Sequence, residues 1–443
     1  MKTLIKNVLL VNEGISKPCD VLIDKQRIDR IDTSITSTKE YEIVEANGNY
    51  LVPGAIDDQV HFREPGLTHK ATIRTESAAA VMGGVTSFME MPNTVPPVFT
   101  QQLLAEKYQL ASENSYANYS FYMGTSNDNY DEIMRTNLEE VCGLKIFMGS
   151  STGNLLVDNP TILEKIFANT PMLIATHCED ENTIKRNETE YYTRFGTSLT
   201  ASHHPLIRSV DACYASSSKA VALAQKHGTK LHVLHLSTAK ELSLFDAIKY
   251  PTITAEACVH HLWFNDADYV RLGNLIKCNP AIKSYIDQEA LWQAVIDDVI
   301  KVIATDHAPH TLAEKSQNYV SAPSGLPLVQ HSMLMMLEKV KQDKIKLEHV
   351  IKKMCHDPAM LFGVNERGFV REGYYADLVV IDPTTATTVD TAGLQYHCAW
   401  SPLEGFQFSN SIQSTMVNGT WVVKNKIINN TSKSGMRLAF RTK

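Results

Sequence analysis

The sequence has few cysteines, and their spacing shows no pairing. No C-x-x-C motif occurs, and the eight cysteines are scattered singly as Cys19, Cys142, Cys178, Cys213, Cys258, Cys278, Cys355 and Cys398. A zinc ribbon and a disulfide framework both need cysteines at close, regular spacing. The pattern therefore excludes these two classes of protein. Free thiols are typical of a reducing compartment, so we expect a cytoplasmic location.

Long hydrophobic runs and an excess of positive charge are also missing. A membrane span needs about 20 apolar residues, whereas the apolar start, MKTLIKNVLLVNEG, is interrupted at Lys6 and Asn7. We therefore expect neither a span nor a signal peptide. The chain has 42 Lys and Arg against 49 Asp and Glu, a net charge of -7. That balance gives no electrostatic reason to expect nucleic acid or an anionic membrane as partner.

Strand-like stretches occupy both ends of the 443-residue chain. The N-terminal part contains TLIKNVLLV, VLIDKQRIDRID and EYEIVEANGNYLV, and the C-terminal part contains YADLVVID and SIQSTMVNGTWVVKNKII. Asn418-Gly419 is a dipeptide that tight β-hairpins favour. The two ends together predict a small β-sandwich domain composed of residues 1–53 and 367–443.

The middle of the chain alternates short apolar runs with helical stretches. The runs are NYLVPGAID, GVTSFMEMP, NYSFYMG, GLKIFMG, MLIATH, KLHVLHLS, TITAEA and VIKVIATDH. Eight strands alternating with helices predict an α/β fold, a (β/α)8 TIM barrel over residues 54–366. A doubly wound open sheet is the alternative, but no glycine-rich phosphate loop supports it.

Polar residues that suit metal chemistry lie at the ends of five of these runs. They are His61, Lys145, His177, His235 and Asp306. In an α/β barrel the carboxyl ends of the strands meet at one mouth, so these side chains converge. Three histidines and a carboxylate there suit a divalent transition metal.

Each of these residues alone has an ordinary structural explanation. A single histidine at a strand end is more often a hydrogen-bonded core residue than a ligand, and Asp306 could cap the turn that follows it. The joint pattern favours a site, because isolated buried polar groups are unfavourable unless they satisfy one another. Burial favours neutral Lys145, and a neutral lysine reacts with carbon dioxide. We therefore expect an N6-carboxylated Lys145 that bridges two metal ions.

These residues lie within motifs that resemble those of a known family. The motifs include LVPGAIDDQVHFREPG, GGVTSFMEMPNTVPP, GLKIFMGSSTG, ATHCED, HPLIRS, HLST, KCNPAIK, ATDHAPH, SAPSGLP, ADLVVIDP and SPLEG. The sequence resembles the amidohydrolase superfamily and, within it, the cyclic amidases. It is most similar to the dihydroorotases of the longer, sandwich-bearing type.

The resemblance implies a zinc-dependent opening and closing of a cyclic amide. In that family the reaction interconverts N-carbamoyl-L-aspartate and L-dihydroorotate in pyrimidine biosynthesis. By position, His61 would bind one metal, His177 and His235 would bind another, and carboxylated Lys145 would bridge them. Asp306 would ligate the first metal and act as the catalytic proton shuttle.

The resemblance also implies a set of residues that bind the substrate. Arg63, Asn93 and His310 fall where the family holds the substrate carboxylate. Asn279, Ser324 and Gly325 fall where it contacts the ring amides. Arg63 suits an anionic small molecule, since its planar guanidinium matches a carboxylate in a bidentate manner.

Gln59 departs from the expected pattern, because a metal pair on the first strand would read His-x-His. Strand alternation places Asp57, Gln59 and His61 on one side. An amide oxygen is a poor zinc ligand compared with imidazole. We expect one firmly bound zinc and a weakened second site beside His61.

Several alternatives to a dihydroorotase remain open. One is another cyclic amidase, either an allantoinase or a hydantoinase-like enzyme, although both would act on uncharged rings. Another is a non-catalytic homologue that associates with aspartate carbamoyltransferase, since Gln59 removes a metal ligand. A homodimer is also among the expected assemblies.

Overall fold

The computed structural model describes residues 2–149, 155–157, 159–431 and 433–441. Its strands form three groups along the chain. The first group is β1 (Lys2–Asn12), β2 (Ile15–Asp24), β3 (Arg27–Asp32), β4 (Tyr41–Glu45) and β5 (Tyr50–Pro53). The second group is β6 (Ala55–Val60), β7 (Val85–Glu90), β8 (Asn118–Phe121), β9 (Met123–Gly124), β10 (Leu144–Phe147), β11 (Ile174–His177), β12 (Leu231–Val233), β13 (Ile253–Cys258) and β14 (Val302–Ala304). The third group is β15 (Leu378–Asp382), β16 (Thr387–Thr388), β17 (Gln407–Phe408), β18 (Ser411–Val417), β19 (Thr420–Lys424) and β20 (Ile427–Ile428).

The two ends of the chain share one sheet. Its strand order is β20-β19-β18-β15-β5-β1-β2-β3, and β4 pairs with β1. β5 lies parallel to β1 and antiparallel to β15, so the N-terminal and C-terminal strands meet there. Asn418 and Gly419 have φ values of 51° and 76° and close the hairpin of β18 and β19. The predicted hairpin is confirmed, whereas the domain boundaries at 53 and 367 stay a prediction.

The second group of strands forms the barrel. β6, β7 and β8 are parallel neighbours, as are β9 through β14 in the order of the chain. Only Tyr122 separates β8 from β9, so the two act as one barrel strand. His307 pairs with Val60, and the His61 N–H donates to the His307 carbonyl at 2.7 Å, which joins β14 to β6. Each of the eight predicted apolar runs overlaps a barrel strand.

Helices connect the barrel strands and follow the last of them. They are α1 (Ile73–Met82), α2 (Gln101–Asn114), α3 (Tyr130–Met134), α4 (Pro160–Asn169), α5 (Glu181–Phe195), α6 (His204–Ile207), α7 (Val210–His227), α8 (Val259–Trp263), α9 (Tyr269–Leu272), α10 (Tyr285–Ile296), α11 (Leu312–Lys315), α12 (Ser332–Lys341), α13 (Leu347–Ile351) and α14 (Asp357–Phe362). Local sequence sets their ends: Thr72 caps α1 in a capping box, and Gly228 ends α7 in the left-handed region. None of the helices that the structure describes combines the length and the apolar character of a membrane span.

The interior of the barrel is closed at one end by aromatic side chains. Residues from several barrel strands pack against residues near the end of the chain, and the cluster includes Ile56, Met89, Tyr122, Ala175, Leu234, Phe362 and Phe440. This cluster fills the base, where the strands begin. The opposite end, where the strands finish, is left as the mouth. All eight cysteines lie in the described residues and carry free thiols.

Candidate active site

The mouth of the barrel holds a cavity of about 260 Å³. Every residue that the sequence predicted for the site lines it, together with Gln59. The lining is Gln59, His61, Arg63, Asn93, Lys145, Phe147, His177, His235, Asn279, Asp306, Ala308, His310, Pro323, Ser324 and Gly325. The structure thus brings together side chains from the first strand to the last, while the role of each one stays a prediction.

Strained backbone positions several of these side chains. Arg63, His235 and Asp306 have φ values of 69°, 38° and 46°. Each residue follows the end of a barrel strand, where the chain turns into a loop. Non-glycine residues rarely adopt this left-handed region, and such strain clusters at functional sites. All three side chains line the cavity, and no local sequence pattern predicts this backbone conformation.

His177 and His235 form one closely packed pair of candidate metal ligands. His177 Nδ1 lies 3.0 Å from His235 Nε2, and His177 Nε2 lies 3.0 Å from Glu179 Oε2. Burial opposes the charge of Glu179, but Arg208 and His177 outweigh it and hold its pKa at about 2. The ionised carboxylate accepts the Nε2 proton and holds the His177 ring with Nδ1 towards His235.

Two further observations show that this pair fits a cation. Burial and the neighbouring His177 hold the pKa of His235 well below its usual value, so its ring is neutral. Its Nδ1 atom has no hydrogen-bond partner among the described residues. Sequence reasoning missed Glu179 and Arg208, although the spacing of His177 and Glu179 as H-x-E was a usable signal.

The first strand supplies the other half of the mouth. His61 Nε2 lies 3.0 Å from Asp306 Oδ1, and His61 Nδ1 lies 2.7 Å from Asn93 Oδ1. Burial lowers the pKa of His61, although Asp306 opposes this shift. Asn93, predicted to hold a substrate carboxylate, therefore contacts a candidate metal ligand and sets the orientation of its ring.

Gln59 takes part in this half through hydrogen bonds. Its Nε2 donates to Asp306 Oδ1 at 3.1 Å, and its Oε1 accepts from the Cys258 thiol at 3.7 Å. The amide thus bridges from the thiol to the carboxylate. Asp57 does not line the cavity, because the strand register shifts between Asp57 and Val60. The expected alternation of Asp57, Gln59 and His61 on one side is wrong for Asp57, which instead accepts a hydrogen bond from Thr305 at 2.6 Å.

Lys145 lies on β10 and is almost fully buried. Burial lowers its pKa to about 8, and Asp306 and Glu256 oppose that shift only in part. Its Nζ lies 4.7 Å from the centre of the Phe147 ring. A substantial neutral fraction at physiological pH is what the reaction with carbon dioxide requires. Carboxylation of Lys145 stays a prediction.

A cationic cluster borders the cavity on another side. Arg63 Nη2 lies 3.1 Å from His310 Nε2, and Lys70 Nζ donates to His310 Nδ1 at 3.0 Å. Lys70 is also paired with Glu314 at 2.9 Å. Burial lowers the pKa of Arg63 to about 10, so it remains charged near neutral pH. Arg63 has no carboxylate within ion-pair distance in the part of the chain that the structure describes. The sequence analysis did not predict Lys70 as a residue of this site.

The loops after β13 and β14 complete the cavity. Asn279 Oδ1 lies 3.1 Å from His204 Nε2. Gly325 has a φ of 142°, and a Cβ there would lie 2.3 Å from the Ala308 carbonyl oxygen, so only glycine fits. Its N–H donates to the Lys277 carbonyl at 2.8 Å, which holds the loop against the mouth.

The chain is similar to known proteins over nearly all of its length. The amidohydrolase family model matches residues 50–422. The dihydroorotase of Halobacterium salinarum is 32% identical over 406 residues, covering 91% of this chain and 93% of that protein. The dihydroorotase of Carboxydothermus hydrogenoformans is 34% identical over 394 residues, covering 86% and 89%.

Solved structures support the fold. The L-hydantoinase (dihydropyrimidinase) from Arthrobacter aurescens superposes with a TM-score of 0.94 at 24% identity, covering 99% of each chain. The dihydropyrimidinase from Brevibacillus agri gives a TM-score of 0.90 at 23% identity, covering 100% of each chain. These likenesses confirm the predicted fold class, a barrel with a sandwich domain.

Proposed function

The chain belongs to the amidohydrolase family, and from that premise we propose that it is a dihydroorotase. The reaction is the reversible cyclisation of N-carbamoyl-L-aspartate to L-dihydroorotate and water. The relatives most informative for this proposal carry that name, at identities of 32% and 34%. The hydantoinase-named structures are less than 25% identical, so they support the fold and leave the substrate open.

The observation that carries the proposal is the buried charge of Arg63. A guanidinium that is only 7% exposed and lacks a carboxylate partner among the described residues is unfavourable unless an anion joins it. L-dihydroorotate brings a carboxylate next to its ring, whereas hydantoin, dihydrouracil and allantoin are uncharged. An uncharged ring would leave Arg63 without its partner.

The residues at the mouth fit a metal centre. His177, His235 and Lys145 would hold one cation, with His61 and Asp306 beside it. His177 Nδ1 and His235 Nε2 lie 3.0 Å apart, close enough for a hydrogen bond between the rings or for one cation held by both. When bound, divalent zinc polarises a carbonyl oxygen and lowers the pKa of water to about 7.

The chain's own side chains supply the remaining steps. Arg63 binds the substrate carboxylate and orients the ring, and Asn279 with the Ser324–Gly325 backbone contacts its amides. In the hydrolytic direction, Asp306 takes a proton from the attacking water and returns it to the ring nitrogen as the carbon–nitrogen bond breaks. Gln59 and His61 both contact Asp306 Oδ1 and so fix where that proton is held.

A comparison of substrates tests the proposal. We expect kcat/KM for L-dihydroorotate to exceed that for dihydrouracil, hydantoin and allantoin by about 100-fold, equivalent to about 2.8 kcal/mol. Arg63→Met should remove most of this preference and leave dihydrouracil turnover little changed. Arg186→Met, at an exposed position on α5, is the matched control.

Other outcomes point to the alternatives. Faster turnover of an uncharged ring would favour a hydantoinase-like enzyme or an allantoinase. A folded, zinc-loaded protein that turns over none of these rings would favour the non-catalytic partner of aspartate carbamoyltransferase. Homodimer formation and a cytoplasmic location stay predictions.

A further inference from the structure

Three ionisable side chains meet inside the barrel, outside the lining of the mouth. Asp58 lies on β6, His232 on β12 and Glu256 on β13, and each is 0% exposed. His232 Nε2 lies 3.3 Å from Asp58 Oδ2 and 3.2 Å from Glu256 Oε2. The His232 ring also packs against Phe362 at the base. The cluster therefore sits in the interior, between the mouth and the aromatic base.

The hydrogen bonds around His232 determine which of its nitrogens is free. The Thr254 hydroxyl donates to the Leu231 carbonyl at 3.3 Å, so its oxygen accepts from His232 Nδ1 at 2.8 Å. A neutral His232 therefore carries its proton on Nδ1. Against burial, Asp58 and Glu256 raise the pKa of His232 to about 9, so a positive charge lies among the three groups, and a bound cation can take the place of the Nε2 proton. An N–H held by a second group is also how proteins orient metal-ligating histidines.

The carboxylates lack the partners that buried charges normally have. Neither Asp58 oxygen makes a hydrogen bond within the described residues. Glu256 Oε1 accepts the His235 backbone N–H at 3.0 Å, which leaves Oε2 facing the cluster. No lysine or arginine in the described chain lies within ion-pair distance of either carboxylate.

The spacing of the donor atoms matches metal coordination. Tetrahedral zinc with bonds of about 2.0–2.1 Å to nitrogen and oxygen has ligand–ligand edges of about 3.3 Å. The two measured separations, 3.3 and 3.2 Å, agree with that edge. The three side chains each offer one donor atom, which leaves one position of a tetrahedral site for water.

We propose that Asp58, His232 and Glu256 bind a divalent zinc ion in the barrel interior, distinct from the metal centre at the mouth. The ion ties β6 to β12 and β13 across the barrel. Asp58 precedes Gln59, and Glu256 holds the backbone of His235. The ion therefore stabilises the strands that carry Gln59 and His235. This structural role does not depend on which cyclic amide is the substrate.

Anomalous X-ray diffraction at the zinc edge, on full-length protein loaded with Zn²⁺ alone, locates the ion. We expect a peak among Asp58, His232 and Glu256 in the wild-type protein. His177→Asn should weaken the peak at the mouth and leave the interior peak. Zinc density at the mouth alone, or at neither position, would overturn the proposal. A protonated His232 would then be the group that pairs with Asp58 and Glu256.

Variants give a second readout. Asp58→Asn should bind about one equivalent of zinc fewer than the wild-type protein. The difference between its Tm with Zn²⁺ and its Tm with a chelator should also be smaller. Glu241→Gln removes another buried carboxylate, which accepts from Ser217 and Thr238, and should keep the full zinc content. If Asp58→Asn does not fold, the wild-type diffraction experiment alone decides. An Asp58→Asn protein that keeps both zinc peaks would refute the assignment.

Discussion

At the scale of single residues, Gln59 changes how the mouth is organised. An imidazole at this position would donate a lone pair to a metal, whereas the amide binds Asp306 at 3.1 Å and the Cys258 thiol at 3.7 Å. On the proposed assignment, the first half of the mouth would rely on His61, Asp306 and carboxylated Lys145 for coordination. The half built on His177 and His235 keeps its full set of donors.

Gln59→His should strengthen the first half. Replacing an amide by imidazole adds a strong nitrogen donor, so we expect zinc beside His61 to bind at least about tenfold more tightly, equivalent to about 1.4 kcal/mol. The measurement is zinc occupancy at each position by anomalous diffraction over a titration, because a total count would include the interior ion. Gln109→His, at an exposed position on α2, is the control. Full wild-type occupancy beside His61 would contradict the weakened site.

Glu179 contacts His177 and Arg208 and lies outside the lining of the mouth. Glu179→Gln removes the charge that holds the Nε2 proton, so zinc at the His177–His235 pair should bind about 10–100-fold more weakly. It also leaves Arg208 buried without its carboxylate, so the free energy of unfolding should fall by about 3–5 kcal/mol. Zinc titration and urea unfolding measure the two effects separately. Glu190→Gln, at an exposed position on α5, is the control and should change neither zinc affinity nor the free energy of unfolding.

At the scale of elements, the eight barrel strands were predictable because each is a short apolar run with its own flanking turn. Their carboxyl ends converge by topology, so the mouth residues followed from chain order. The position of Asp57 did not, since a register shift in β6 breaks the alternation. The contacts of Glu179, Arg208 and Lys70 join separate elements, and the Asp58 cluster needs three strands in register. No local pattern encodes those distances.

Helix α11 shows how an element can hold a substrate loop. Lys315 Nζ donates to the carbonyls of Gly325, Pro323 and Lys277 at 2.9, 3.0 and 3.1 Å. The side chain is 1% exposed, and burial lowers its pKa to about 7. The loop that carries Ser324 and Gly325 is therefore connected to α11 through the Lys315 amino group, in addition to the bond from the Gly325 N–H to the Lys277 carbonyl.

Lys315→Met keeps the length of the side chain and removes the donors. We expect KM for L-dihydroorotate to rise about tenfold with a smaller change in kcat, because the loop binds the ring and not the reacting proton. Stability should fall by about 1–3 kcal/mol, since buried carbonyls lose their partner. Steady-state kinetics and urea unfolding measure both effects. Lys219→Met on α7 is exposed and should leave both unchanged, and an unaltered KM in Lys315→Met would show that the loop is held otherwise.

At the scale of the whole molecule, the terminal sheet and the barrel share one hydrophobic core. Val52 of β5 and Val379 of β15 belong to the same buried cluster as Phe88 of the barrel and Trp292 of α10. Phe440, near the end of the chain, packs into the base of the barrel. Removing the terminal sheet would therefore expose part of the hydrophobic core of the barrel.

The terminal sheet and the barrel should consequently unfold in urea in a single transition. Trp421 on β19 reports on the sheet and Trp292 on α10 reports on the barrel, so two single-tryptophan variants with the other tryptophans changed to Phe would follow each part. We expect their fluorescence midpoints to coincide, which is the behaviour of a cooperative unit. Midpoints that differ would mean that residues 1–53 and 367–443 fold as a separate domain, and the shared core would then contribute little to coupling the two parts. Far-UV circular dichroism of the same samples controls for the substitutions, since its midpoint must match that of the wild-type chain.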